Sequence, residues 1–193
     1  LMRKFTGWIG IAVMIWAASA TAFHLYSAYI GYLEPREQRS IHLLFFLPFV
    51  FILYPAHPEW SPKHRPSFMD CILAIVATGP AIYSYLESDR INLRLEDVDP
   101  LLMGEVVFGT IAVVLVIEAL RRAVTPILAG ILCVGLTYLF LCEYMPGLWN
   151  YRDMGYEEII ETMYVVNGHG IFGTITGISA TMVAIFIGFG AFV

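Results

Sequence analysis

Residues 168–193 read GHGIFGTITGISATMVAIFIGFGAFV, and His169 is the only ionisable side chain among them. Drawn as a helix, Ile171 to Val193 would rise about 34 Å at 1.5 Å per residue, enough for a bilayer core of about 30 Å. Its small residues recur at close spacing: Gly173, Gly177, Ala180, Ala184 and Gly188. Gly173-xxx-Gly177 and Ala180-xxx-Ala184 are small-xxx-small pairs, which let a second membrane helix approach closely. The stretch reads as a membrane helix made to be packed against, and Val193 falls inside it. The 193 residues therefore read as the front part of a longer polypeptide.

Composition agrees with a membrane protein. The chain is 59% hydrophobic and 14% charged, with a mean hydropathy of +0.72, whereas soluble domains carry roughly 25% charge. A net charge of −5 without a basic stripe gives nothing to neutralise nucleic-acid phosphates. Cys71, Cys133 and Cys142 form no CxxC pair, so they read as buried, inert thiols rather than a zinc or redox site.

Six apolar runs follow one another. The first, Gly7 to Tyr32, contains Ala18-Ser19-Ala20, which imitates a signal-peptide cleavage site, but it continues well past it. An uncleaved first helix is the favoured reading. After the connector Glu34 to Ser40 comes Ile41 to Tyr54, a short run with Pro48 that either spans with help from its flanks or lies partly in the interface. Met69 to Leu86 is the third run, with a kink expected at Gly79-Pro80. The segment Glu87 to Pro100 holds five acids against Arg90 and Arg94 and marks the boundary between residues 1–99 and 100–193. Leu101 to Leu120 and Ala123 to Leu141 are the fourth and fifth runs. In Tyr156 to Val166, Ile159, Ile160, Met163 and Tyr164 recur at helical spacing opposite Glu157, Glu158 and Glu161. That pattern predicts an amphipathic helix on the membrane surface. The expected fold is all-α: about six transmembrane helices plus one interfacial helix. Lys and Arg divide six to five in favour of a cytoplasmic N-terminus.

Few residues invite chemistry. Glu118, Arg121 and Arg122 share a helix face at i, i+3 and i, i+4 and read as an interfacial ion pair. Glu105, four residues into its run, is expected to reach water. His24 reads as an isolated histidine bonded to a neighbour. Gly168, Gly170 and Gly173 fit G-x-G-x-x-G without the preceding strand of a dinucleotide site, and read instead as a chain break between interface and bilayer. His57, Glu59 and His64 read as solvated loop. No catalytic constellation, metal site or cofactor site is placed, so an enzyme is not expected.

Several stretches resemble TRAP transporter permeases, in the fused small/large-subunit form that works with TAXI-type binding proteins. They are IFGTITGISAT with FIGFGAF in the terminal stretch, IHLLFFLPFVFILYP at 41–55, IEALRR at 117–122, and MPGLW with GYEEIIETMY ahead of the terminal motif. The resemblance implies a bacterial inner-membrane secondary transporter, a symporter importing organic acid anions delivered by an extracytoplasmic TAXI-type protein. An ion gradient, with sodium as the expected coupling ion, would drive it. Residues 1–99 would be the small-subunit-like region of about three helices, and 100–193 the opening helices of the large subunit. Substrate and ion sites would lie beyond Val193. His169 stands where the family has a glutamate, and the family's proline in the following turn is missing here. The competing expectation is a membrane scaffold or accessory subunit without transport of its own.

Overall fold

The computed structural model describes residues 2–57, 61–62, 65–96, 98–152 and 154–190, and among them all regular structure is helical. Helices α1 (Gly7–Ile30), α2 (Pro35–Leu53) and α3 (Phe68–Leu86) precede a short α4 (Ser88–Leu93). They are followed by α5 (Met103–Ala123), α6 (Pro126–Leu141) and α7 (Tyr156–Ile160), which continues as a π-turn, Glu161–Val165. Last comes α8, Thr174–Gly190, in which Ser179–Val183 is wound as π-helix.

Local chemistry sets where these helices begin. Pro35 and Pro126 occupy first turns, where a missing N–H costs nothing. The Thr125 hydroxyl accepts from Leu128 N–H at 3.3 Å. Asp70 and Glu105, each in a first turn, reach back to the backbone N–H of Ser67 (3.0 Å) and Leu102 (2.7 Å).

Four described helices are long and apolar enough to cross a membrane: α1, α3, α5 and α6, the last carried on to Tyr144 by a 3-10 turn. Two of the six expected spans fall short of that standard. α2 opens on the charged Pro-Arg-Glu-Gln-Arg, and α8 is described over 17 residues only. Helix α8 starts at Thr174 rather than Ile171, because Gly170 to Gly173 form a turn. The Gly79-Pro80 pair does not end α3, which runs on to Leu86.

Helix α2 is the hub and touches α1, α3, α4, α5 and α8. Leu47 and Phe51 of α2, Ala74 and Ala77 of α3, and Leu115 and Ala119 of α5 make one core. A second core joins Ile91 and Ala112 to Ile160, Tyr164, Val165 and Phe172. Both cores draw on residues from each side of the 99/100 boundary. Helix α6 is the least covered and buries only Ala129.

The segment 156–165 departs from a free surface helix. Ile159, Ile160, Tyr164 and Val165 are at most 4% exposed, and Glu161, read on the polar face, is also buried. The apolar stripe is satisfied by protein rather than lipid, because α5 offers Gly109: a Cβ there would stand 2.5 Å from Ile160 Cγ2. The π-turn then brings Tyr164 inward, and its hydroxyl donates to Pro80 O at 2.6 Å. Two of the three thiols also differ from expectation. Only Cys142 is buried; Cys71 is half-buried and Cys133 exposed on the uncovered face of α6.

Candidate functional site

Helices α2, α3 and α5 alternate in direction, so their ends collect polar side chains into two clusters separated by the apolar cores. At one end, Glu118 accepts from Arg121 (2.7 Å) and Arg122 (2.6 Å), the ion pair expected from IEALRR. The structure extends it. Arg122 also donates to Asp70 Oδ1 at 2.7 Å, and Asp70 Oδ2 accepts from Arg3 at 2.5 Å. Arg3 further donates to Pro62 O and Ile52 O at 3.0 and 2.9 Å. The Asp70, Arg3 and Arg122 side chains are at most 3% exposed. Asp70 is thus a buried carboxylate between two guanidiniums, and it also caps α3. Sequence spacing could not reveal it, since the partners lie 67 and 52 residues away.

The opposite end is built differently. Arg36 is fully buried, yet every hydrogen bond it donates ends on a neutral acceptor. Nε reaches Ser84 Oγ (3.0 Å); Nη1 reaches Val165 O (2.5 Å) and Asn167 Oδ1 (3.1 Å); Nη2 reaches Tyr164 O (3.0 Å). The Phe172 ring lies 4.9 Å from its guanidinium carbon, a cation–π distance. Arg39, one turn on, donates to Asn167 O (2.6 Å) and Phe172 O (2.7 Å). Two arginines of α2 therefore hold the backbone of residues 164–172 in place. The carbonyls they hold are available because the chain leaves helical geometry there: a π-turn ends at Val165, and Gly170 adopts φ 64°. A Cβ on Gly170 would stand 2.2 Å from Met163 O, so this turn requires glycine.

Carboxylates at this end pair beside the clamp. Glu105 is fully buried, a correction to the expectation that it reaches water. It accepts from Arg90 at 3.0 Å while capping α5. Burial alone would lower the Arg90 guanidinium, but the hydrogen bonds it donates to Glu87 and Glu105 outweigh it and hold Arg90 above its ordinary range. Arg94 donates to Glu161 at 2.5 Å. Asn167 donates to Asn92 Oδ1 at 3.0 Å, and Asn92 to Glu34 at 2.5 Å.

The small residues of the terminal motif take different places. Gly173 ends the turn, and a Cβ on it would meet His169 backbone atoms at 2.7 Å. Gly177 lies under Arg39, whose Nε would stand 2.9 Å from an added Cβ. Ala180 is 1% exposed against α2, its carbonyl 3.3 Å from Gln38 Nε2. Gly188 faces Leu25 of α1 at 3.6 Å, and Ala184 lines a cavity beside α1. The stripe thus lies against α1 and α2 within this chain. Beside Gly177 an open cleft of about 310 Å³ is lined by Tyr32, Gln38, Arg39, Thr174, Ile178 and Thr181. His24 is not isolated: its ring bonds His42 of α2 at 3.0 Å.

Among the described residues no group of three or more His, Cys, Asp or Glu could hold a metal ion. Glu59 and His64 of the proline-rich loop, and Asp97, lie outside the described residues. Comparison with protein-family models, with curated proteins and with solved structures gives no match for this chain.

Proposed function

We propose that the chain is the N-terminal part of the permease of a TRAP-type secondary transporter. It would import organic acid anions handed over by an extracytoplasmic TAXI-type binding protein, with an ion gradient, expected to be sodium, as the driving force. On this reading α2 and α8 complete six crossings of the cytoplasmic membrane and the N-terminus is cytoplasmic. The observation that carries it is the Arg36 and Arg39 clamp. A small-subunit-like region, 1–99, grips the backbone leading into the family-like GIFG motif in 100–193, at Tyr164, Val165 and Asn167, and within it at Phe172. Such a grip is what a fused pair of subunits needs, since it fixes the opening part of the large subunit against the small one. The described helices serve as scaffold, and the polar end carrying Arg36, Arg90 and Arg94 is the docking face for the binding protein.

The test is uptake of radiolabelled organic acids by the complete permease in proteoliposomes, with its binding protein outside and an imposed sodium gradient. Binding-protein-dependent, gradient-dependent uptake is expected. A folded permease that takes up nothing with any organic acid would favour the second reading, a non-transporting scaffold. One observation favours that alternative: the buried carboxylates Asp70, Glu105 and Glu161 are already paired with arginine.

A further inference from the structure

Among the described residues two histidines are buried, where α1, α2 and α8 meet: His24 is 3% and His42 8% exposed. Their hydrogen bonds have a fixed direction. His24 Nδ1 lies 2.6 Å from Ala20 O, which can only accept, so Nδ1 carries the hydrogen. A neutral His24 then offers Nε2 as an acceptor, 3.0 Å from His42 Nδ1, which must carry its own hydrogen. That leaves His42 Nε2 to accept from the Ser179 hydroxyl at 3.3 Å. The result is one chain of donors running Ser179, His42, His24, Ala20 O, from α8 through α2 to α1.

The surroundings reinforce this order. Ser27 Oγ donates to His24 O at 3.1 Å, and Gln38 Nε2 lies 3.2 Å from Ser27 Oγ and 3.3 Å from Ala180 O. Phe46 packs on His42 with ring centroids 4.6 Å apart. A cavity of about 230 Å³ lined by Trp16, Ala20, Thr21, Phe45 and Gly188 reaches His24. Few charges face it. On α2, Arg39 precedes His42 by three residues and is engaged with Asn167 O and Phe172 O. On α1, Tyr26 and Tyr29 are exposed, away from the pair. The described part of α8 has no ionisable side chain.

We propose that His24 and His42 form a binding site for one proton, which Ser179 reports to α8. A proton added at His42 Nε2 makes an imidazolium whose Nδ1–H stays on His24. Its new Nε2–H points at Ser179 Oγ, so the hydroxyl must turn from donor to acceptor. Passing the Nδ1 proton on to His24 Nε2 leaves His42 neutral and moves the charge to His24, so the two rings share one proton. A second proton would set two cations against each other across a 3.0 Å contact with no acceptor between them. Ser179 opens the π-wound part of α8, so its reversal acts where that helix is least regular. The site stands independently of the transporter reading.

The experiment is nitrogen NMR of the ¹⁵N-histidine-labelled chain in detergent micelles, from about pH 4 to about pH 9. The expected result is that both rings are Nδ1–H tautomers at the alkaline end and that the pair takes up one proton together. His24→Gln then shifts the His42 midpoint by more than about one unit. Ser179→Ala leaves the alkaline tautomers unchanged but moves the midpoint, and circular dichroism checks that each variant is folded. Two histidines that titrate independently, or an Nε2–H tautomer at His24, would overturn the proposal. A Ser179→Ala midpoint equal to wild type would overturn the part given to Ser179.

Discussion

Arg122 and Arg36, buried at the two ends of the α2–α3–α5 bundle, are held in opposite ways. At the Asp70 end, Arg3 and Arg122 meet a carboxylate that is itself 1% exposed. At the Arg36 end, the guanidinium meets two backbone carbonyls, a hydroxyl and an amide oxygen, with no carboxylate bonded to it. The Asp70 pairs tie side chains of different helices together, with Arg3 adding bonds to Ile52 O at the end of α2 and Pro62 O beyond it. An arginine satisfied by carbonyls fixes the path of a non-helical chain. The first arrangement therefore closes a bundle, whereas the second holds a turn, here the one leading into α8.

The sharpest way to break the comparison is to remove the counter-charge at the first end. Asp70→Ala leaves the buried Arg3 with no carboxylate and Arg122 with Glu118 only, and it uncaps α3. Stranding a buried charge costs about 3–5 kcal/mol, and thermal unfolding in detergent is expected to show the largest loss there. Arg36→Met removes a charge without stranding another, since its partners are neutral. Carbonyls left unpaired cost about 1–3 kcal/mol, so the loss should be smaller than for Asp70→Ala, with proteolysis enhanced near residues 164–172. Equal losses at the two ends would contradict the distinction between pairing and clamping. Gly109→Ala tests the seat of that turn. Its methyl would stand 2.5 Å from Ile160 Cγ2, an overpacking worth about 1–3 kcal/mol, and adding Ile160→Ala is expected to recover part of it. Arg121→Ala should do least. Its side chain is 41% exposed, and exposed pairs contribute about 0–1 kcal/mol, a change near the limit of a melting curve.

What could be read in advance follows from the range of the interactions. Apolar runs are local, and four of them became helices of spanning length. The Glu118–Arg121–Arg122 pairing is also local and appears as expected. The stripe of 156–165 was legible as a face, but its partner was not. Whether Ile160 meets lipid or protein depends on Gly109, 51 residues earlier, lacking a side chain. Asp70, inside a run that reads as apolar, drew no attention in the sequence and is the centre of a network. Arg36 and Arg39 looked like connector charges. Carbonyl acceptors leave no trace in residue types, and here they arise from a π-turn and a positive-φ glycine far along the chain. The His24–His42 contact was hidden for the same reason, since each histidine alone is uninformative.

The central claim is that these two ends are the two faces of one membrane-crossing bundle. It is tested most directly by labelling single cysteines from either side of sealed, oriented vesicles. Lys4→Cys marks the Asp70 end and Asp89→Cys the Arg36 end, both exposed positions, in a chain with Cys71, Cys133 and Cys142 replaced by alanine. An impermeant maleimide is expected to reach Lys4→Cys from the cytoplasmic side only and Asp89→Cys from the opposite side only. Labelling of both from the same side would contradict the account.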